Sequence, residues 1–236
     1  MRKPLDIHDV EAAAANLARR AFANRGIISW GITLGCGKRW QDVDKKELLT
    51  VGEQLPPYAI GHDERKAPFP MLEDGTEVPR MLVSFTDDNG VCLYAWAIAD
   101  EASPVLGLGA DLASTEDFEG GPSDDRLVKL LLNDREREIA KTICPDDFIS
   151  GYAAAFSAKE AAFKRTARVL RTWYETHDEE LFFEVRDFEM TEPGLERGTA
   201  RTGRAQTACD KLGISRIEVL HDPLPGAVLT FALALR

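Results

Sequence analysis

Asp111, Glu160 and Lys164 are the residues of this sequence best placed to do chemistry. Asp111 closes the apolar run Val105-Leu106-Gly107-Leu108-Gly109-Ala110, which reads as a buried strand whose end is a costly place for a lone carboxylate unless a cation joins it. Glu160 lies in Phe156-Ser157-Ala158-Lys159-Glu160-Ala161-Ala162-Phe163-Lys164. Two hard oxygen ligands from different elements, with water and substrate phosphate completing the shell, is how magnesium is usually held. Lys164 follows Glu160 by one helical turn on the same face, in reach of an anionic substrate group. Each residue also has a plainer reading. Ser157 and Glu160 have the spacing of an S-x-x-E capping box, Asp111 suits a turn, and Lys164 suits a solvated partner of Glu160.

The elements around these residues follow from periodicity. Phe156, Phe163, Ala167, Leu170 and Tyr174 recur at near-helical spacing and predict a helix over 157–174, on which Arg165, Arg168 and Arg171 make a locally basic patch. Strands are expected over 81–86 and 91–98, joined through Asn89-Gly90, and over 104–112. Further strands are expected over 181–189, 217–220 and 228–235. A helix is expected over 9–25 with Gly26 as its stop. Another starts at Asn133, with Glu136 at capping-box spacing. Residues 30–79 read as irregular apart from a short helix over 44–51. The loop 100–103 is the expected boundary between an N-terminal half (1–103) and a C-terminal half (104–236).

With 236 residues, 44% hydrophobic and 29% charged, the chain suits one large domain or two small halves sharing a core. A net charge of −11 argues against tracking a nucleic-acid backbone, though a pocket for a small phosphorylated ligand needs only a few cations. The start reaches Asp6 and Asp9 before any apolar stretch, and the longest apolar runs are strand-length, so a cytoplasmic protein is expected. Cys36, Cys92, Cys144 and Cys209 lie far apart and read as reduced thiols. Gly35-Cys36-Gly37-Lys38 fails as a P-loop, with Ile32 in place of the first glycine and Arg39 in place of the Ser/Thr. Gly107-Leu108-Gly109 lacks the third glycine of a dinucleotide fingerprint.

The run from Val105 to Asp111, followed by Phe156 to Lys164, resembles the paired signatures of the 4'-phosphopantetheinyl transferases, "[VI]G[IV]D" and "[FW]SxKE[AS]xxK". Ala18-Arg19-Arg20-Ala21-Phe22 and Val83-Ser84-Phe85-Thr86-Asp87 are similar to an early helix and a strand of the two-half members of that family. The resemblance implies an α+β fold of two similar sheet-plus-helix halves with the active site in the cleft between them. It implies a monomer that transfers the phosphopantetheine arm of coenzyme A to a serine of an acyl or peptidyl carrier protein. Magnesium would be held by Asp111 and Glu160, with Glu160 and Lys164 catalytic, and Lys159, Lys164, Arg19 and Thr86 on the coenzyme A side. The chain departs from the pattern at Ala113, where many members carry a third carboxylate, at Asp87, where they carry a histidine, and at Ala15. These departures motivate a second expectation, a degenerate relative that binds carrier protein or nucleotide without transfer. A third is a magnesium-dependent phosphohydrolase built on the same two carboxylates.

Overall fold

Asp6 caps helix α1 (Ile7–Phe22), its carboxylate accepting the His8 amide at 2.9 Å, so the helix starts ahead of Asp9. The chain then enters β1 (Ile27–Cys36), which corrects the reading of 30–79 as irregular. IISWGITLGC shows no sustained alternation because its middle is buried on both faces, the pattern of an interior strand. The computed structural model describes residues 5–37, 43–44, 47–52, 59–62, 68–72, 74–119, 131–144, 146–174, 177, 181, 184–191, 197–200 and 203–236.

β1 pairs with β2 (Leu49–Gly52), which takes part of the stretch where a short helix was expected, and with β6 (Val91–Ala99). β5 (Met81–Asp88) completes a sheet of order β2-β1-β6-β5. Asn89 and Gly90, at φ 43° and 83°, make the expected tight turn between β5 and β6. β3 (Ala59–His62) and β4 (Pro68–Met71) form a separate ribbon.

The second sheet has the order β7-β11-β10-β9-β8, formed by β7 (Val105–Ser114), β8 (Phe188–Met190), β9 (Arg197–Ala200), β10 (Arg216–Leu224) and β11 (Ala227–Leu235). Of the strand expected over 181–189, a 3-10 turn at Val185–Asp187 and the start of β8 are what the described residues show. Between β7 and β8 run α2 (Asp134–Ile143), α3 (Phe148–Lys164) and α4 (Thr166–Tyr174). A helix not foreseen, α5 (Gly203–Lys211), precedes β10. The helix expected over 157–174 begins nine residues earlier, capped by Asp147, and is interrupted at Arg165.

β7 and β11 lie at the centre. Leu229, Phe231 and Leu233 of β11 share one core with Val10 and Leu17 of α1 and with Leu34 and Leu93 of the first sheet. Val228, Ala232 and Ala234 share the other with Ala154, Ala158 and Ala161 of α3. Each fully buried leucine contributes roughly 2 kcal/mol. The two sheets meet where β5 turns alternate side chains onto the open edge of β7. Ser84 Oγ accepts the Ala110 amide at 2.8 Å, Thr86 Oγ1 that of Leu112 at 3.0 Å, and Asp88 Oδ2 that of Ser114. A β-strand edge is thus satisfied by side chains instead of a backbone ladder. Among the described residues no helix is long and apolar enough to cross a membrane.

Candidate active site

Two glycines bring α3 against β7. A Cβ on Gly107 would lie 2.1 Å from the Arg165 carbonyl oxygen, and one on Gly109 2.0 Å from that of Ala161, so only hydrogen fits at either position. Asp111 is the next residue on that face of the strand, and its carboxylate meets the last turns of α3. Lys164 Nζ donates to Asp111 Oδ1 at 2.6 Å, and Ser157 Oγ donates to the Asp111 carbonyl at 3.1 Å. Ser157 is therefore a mid-helix residue tied to the strand, and the capping-box reading of Ser157 and Glu160 is wrong.

Asp111 is 5% exposed, and its Oδ2 is buried with no hydrogen-bond partner among the described residues. Glu160 stands half-buried nearby, one turn before Lys164. Burial pushes the Glu160 carboxyl above its usual value and the charge of Asp111 pushes it further, with Lys164 acting against both. Two carboxylates thus share one ammonium in a semi-enclosed site, leaving it a cation short. An unsatisfied buried carboxylate oxygen beside a second carboxylate suits a hard divalent ion, so the donor set fits magnesium. The next residue on that face is Ala113, buried in the apolar cluster with Phe118. Among the described residues no three His, Cys, Asp or Glu side chains are grouped as a metal site.

Lys159, the neighbour of Glu160, turns the other way. It is fully buried and donates to both carboxylate oxygens of Glu136, at 3.0 and 2.9 Å. Glu136 also accepts the amides of Met190, at 3.0 Å, and Asn133, at 2.9 Å. The capping box expected at the start of α2 is present, and its glutamate holds a lysine inside the molecule. Nothing in the local spacing pairs residues 136 and 159. Each belongs to its own helix, and only the packing of α2 on α3 unites them, where Gly151 lets the Ala140 carbonyl approach.

Thr86 is buried with its hydroxyl on Leu112, while Arg19 is exposed in the last turn of α1. The period of two that turns Thr86 and Asp88 onto β7 leaves Asp87 exposed. Arg165 is a correction to the basic patch: it is fully buried, its guanidinium 5.0 Å from the centroid of the Phe188 ring. Burial lowers its pKa to about 10 despite the opposing influence of Cys209. The side chains of Arg168 and Arg171 lie outside the described residues, as do Lys38, Arg39, Arg65 and Lys66.

Comparison with curated protein sequences finds no match. Solved structures similar to this chain include a holo-ACP-synthase from Plasmodium yoelii, at 18% identity over 56% of this chain and 94% of that one, with a TM-score of 0.39. A holo-[acyl-carrier-protein] synthase from Neisseria meningitidis is 19% identical over 56% of this chain and 99% of its own, with a TM-score of 0.40. The family model of the 4'-phosphopantetheinyl transferase superfamily matches residues 107–228, just over half of the chain, from the glycine that admits α3 to the start of β11. On that match the chain belongs to the 4'-phosphopantetheinyl transferase superfamily and is an enzyme of phosphopantetheinyl transfer.

Proposed function

We propose that this enzyme moves the 4'-phosphopantetheine arm of coenzyme A onto a serine hydroxyl of an acyl or peptidyl carrier protein, with magnesium held by Asp111 and Glu160. The observation that carries this reading is the buried, unpartnered Asp111 Oδ2 beside a glutamate whose charge is disfavoured by burial and by Asp111. Bound magnesium would neutralise charge on the pyrophosphate as the phosphoester forms. Glu160, or a water beside it, accepts the serine proton. Lys164, 29% exposed at its side chain, exchanges part of its contact with Asp111 for the substrate pyrophosphate. Arg19, exposed at the end of α1, is offered to the coenzyme A phosphates. Lys159 and Thr86, assigned to the coenzyme A side from the family likeness, are engaged in protein bonds here, Lys159 fixing α3 on α2 and Thr86 fixing β5 on β7.

In this proposal residues 1–103 and 104–236 are the two halves, and the substrates meet in the cleft between them. The bonds from β5 to β7 support that arrangement.

The test is the intact mass of several apo carrier proteins after incubation with the enzyme, coenzyme A and magnesium. A gain of one phosphopantetheine that disappears with EDTA and in Glu160→Gln is the expected result. Binding of coenzyme A or carrier without any mass gain would replace this reading with the non-transferring relative. Release of phosphate products without a carrier would replace it with the phosphohydrolase.

A further inference from the structure

β11 is buried along its whole length, and Thr230 is its one polar residue. Thr230 is fully buried, and its Oγ1 has no hydrogen-bond partner among the described residues. A valine of the same shape would fill the position without the cost of an unpaired hydroxyl. The register of the sheet sets Thr230 directly opposite Asp111, the one charged residue of β7. Both side chains lie on the α3 face. Val228, Ala232 and Ala234, which share the period of two with Thr230, pack against α3, and Asp111 reaches Lys164 from the same side.

Directly opposed residues hold their Cβ atoms about 5 Å apart. Even so, Thr230 Oγ1 makes no hydrogen bond to Asp111 Oδ2, which is buried and unpartnered as well. Two orphaned oxygens from adjacent strands thus share one buried face. Two carboxylates leave most of a magnesium ion's octahedral shell to be filled, and Ala113, next on the same face, adds nothing to it. A neutral hydroxyl can take such a place, as a Ser/Thr does for magnesium in P-loop enzymes.

We propose that Thr230 is a third protein ligand of the ion held by Asp111 and Glu160, its hydroxyl oxygen joining their carboxylates. The inference rests on the magnesium reading above and adds to it a residue from the neighbouring strand. It gives the one polar side chain of β11 a reason to stand opposite Asp111.

Titration of the full chain with Mn2+, with and without coenzyme A, tests it, the free ion being followed by electron paramagnetic resonance. The parent should bind Mn2+ saturably, and magnesium should displace it. Thr230→Val should weaken that binding about tenfold, while the metal-free protein unfolds no more easily than the parent because the orphaned hydroxyl is gone. Thr230→Ser, which keeps the oxygen, should stay within about threefold of the parent. Thr230→Cys trades a hard oxygen for a soft sulfur, so it should lose Mn2+ affinity like the valine variant and gain about tenfold in Cd2+ affinity over the parent. This gain cannot come from a misfolded protein, so it decides the matter if Thr230→Val fails to fold. Unchanged Mn2+ affinity in Thr230→Val, or no cadmium gain in Thr230→Cys, would overturn the proposal and leave the two-carboxylate site standing. A parent that binds no Mn2+ even with coenzyme A present would overturn the magnesium reading together with it.

Discussion

Two carboxylate–lysine pairs sit on consecutive stretches of α3, and they are opposites. Glu136 and Lys159 are both fully buried, and the glutamate accepts bonds from Lys159, Met190 and Asn133, so its charge is matched and its oxygens are used. In the second pair Asp111 is buried but Lys164 is only partly enclosed, one aspartate oxygen has no described partner, and Glu160 adds a second negative charge. The first arrangement fastens two helices. The second keeps unspent charge for something that arrives. One residue's rotation along the helix, from Lys159 to Glu160, separates the interior from the reaction side.

Removing a partner from the closed pair should have the largest effect. Glu136→Ala takes away the buried carboxylate that Lys159 donates to and should cost about 3–5 kcal/mol of stability, read by denaturant unfolding. Glu160→Gln should do the reverse: activity falls roughly thousandfold in the carrier-loading assay, while the metal-free protein unfolds no more easily than the parent. If both variants destabilise equally, the contrast between the pairs is wrong. Lys164→Ala should lower kcat/KM about a hundredfold, with saturation by coenzyme A moved to higher concentration.

The open pair should also be the pH-sensitive one. Because the Glu160 carboxyl is raised above 4.5 in the folded protein, its protonated form favours folding below that value, and this contribution is lost as pH rises through the folded pKa. Thermal midpoints of the metal-free protein should show this decline, Glu160→Gln should flatten it, and magnesium should bind more tightly across the same rise. The smallest effect expected is that of Thr86→Val, which leaves the buried Leu112 amide unpaired at a cost of about 1–3 kcal/mol in unfolding free energy. Its signature is a stability loss with little change in kcat.

The open pair was the more legible in sequence. Asp111 ending an apolar run, and Glu160 and Lys164 one turn apart, are local patterns that the family strings share. Glu136 was readable as a cap and nothing more, because its buried lysine lies 23 residues away on another helix. Gly107 and Gly109 looked like a failed nucleotide fingerprint, yet they are the reason α3 can touch β7. β1 escaped notice for a related reason: a strand buried on both sides loses the alternation that marks a half-exposed one. Arg165 looked like part of a charged stripe, and only the break in the helix turned it onto Phe188.

The Asn89-Gly90 turn, the Asn133 cap and the one-turn spacing of Glu160 and Lys164 were determined by the sequence, since each depends on residues within a turn or two of one another. The tertiary structure decided which lysine is spent and which is available, that Ser157 binds the strand instead of capping a helix, and that β5 side chains close the edge of β7. Those outcomes depend on which surfaces meet across long separations, where burial changes the free energy of a charge by far more than any local preference.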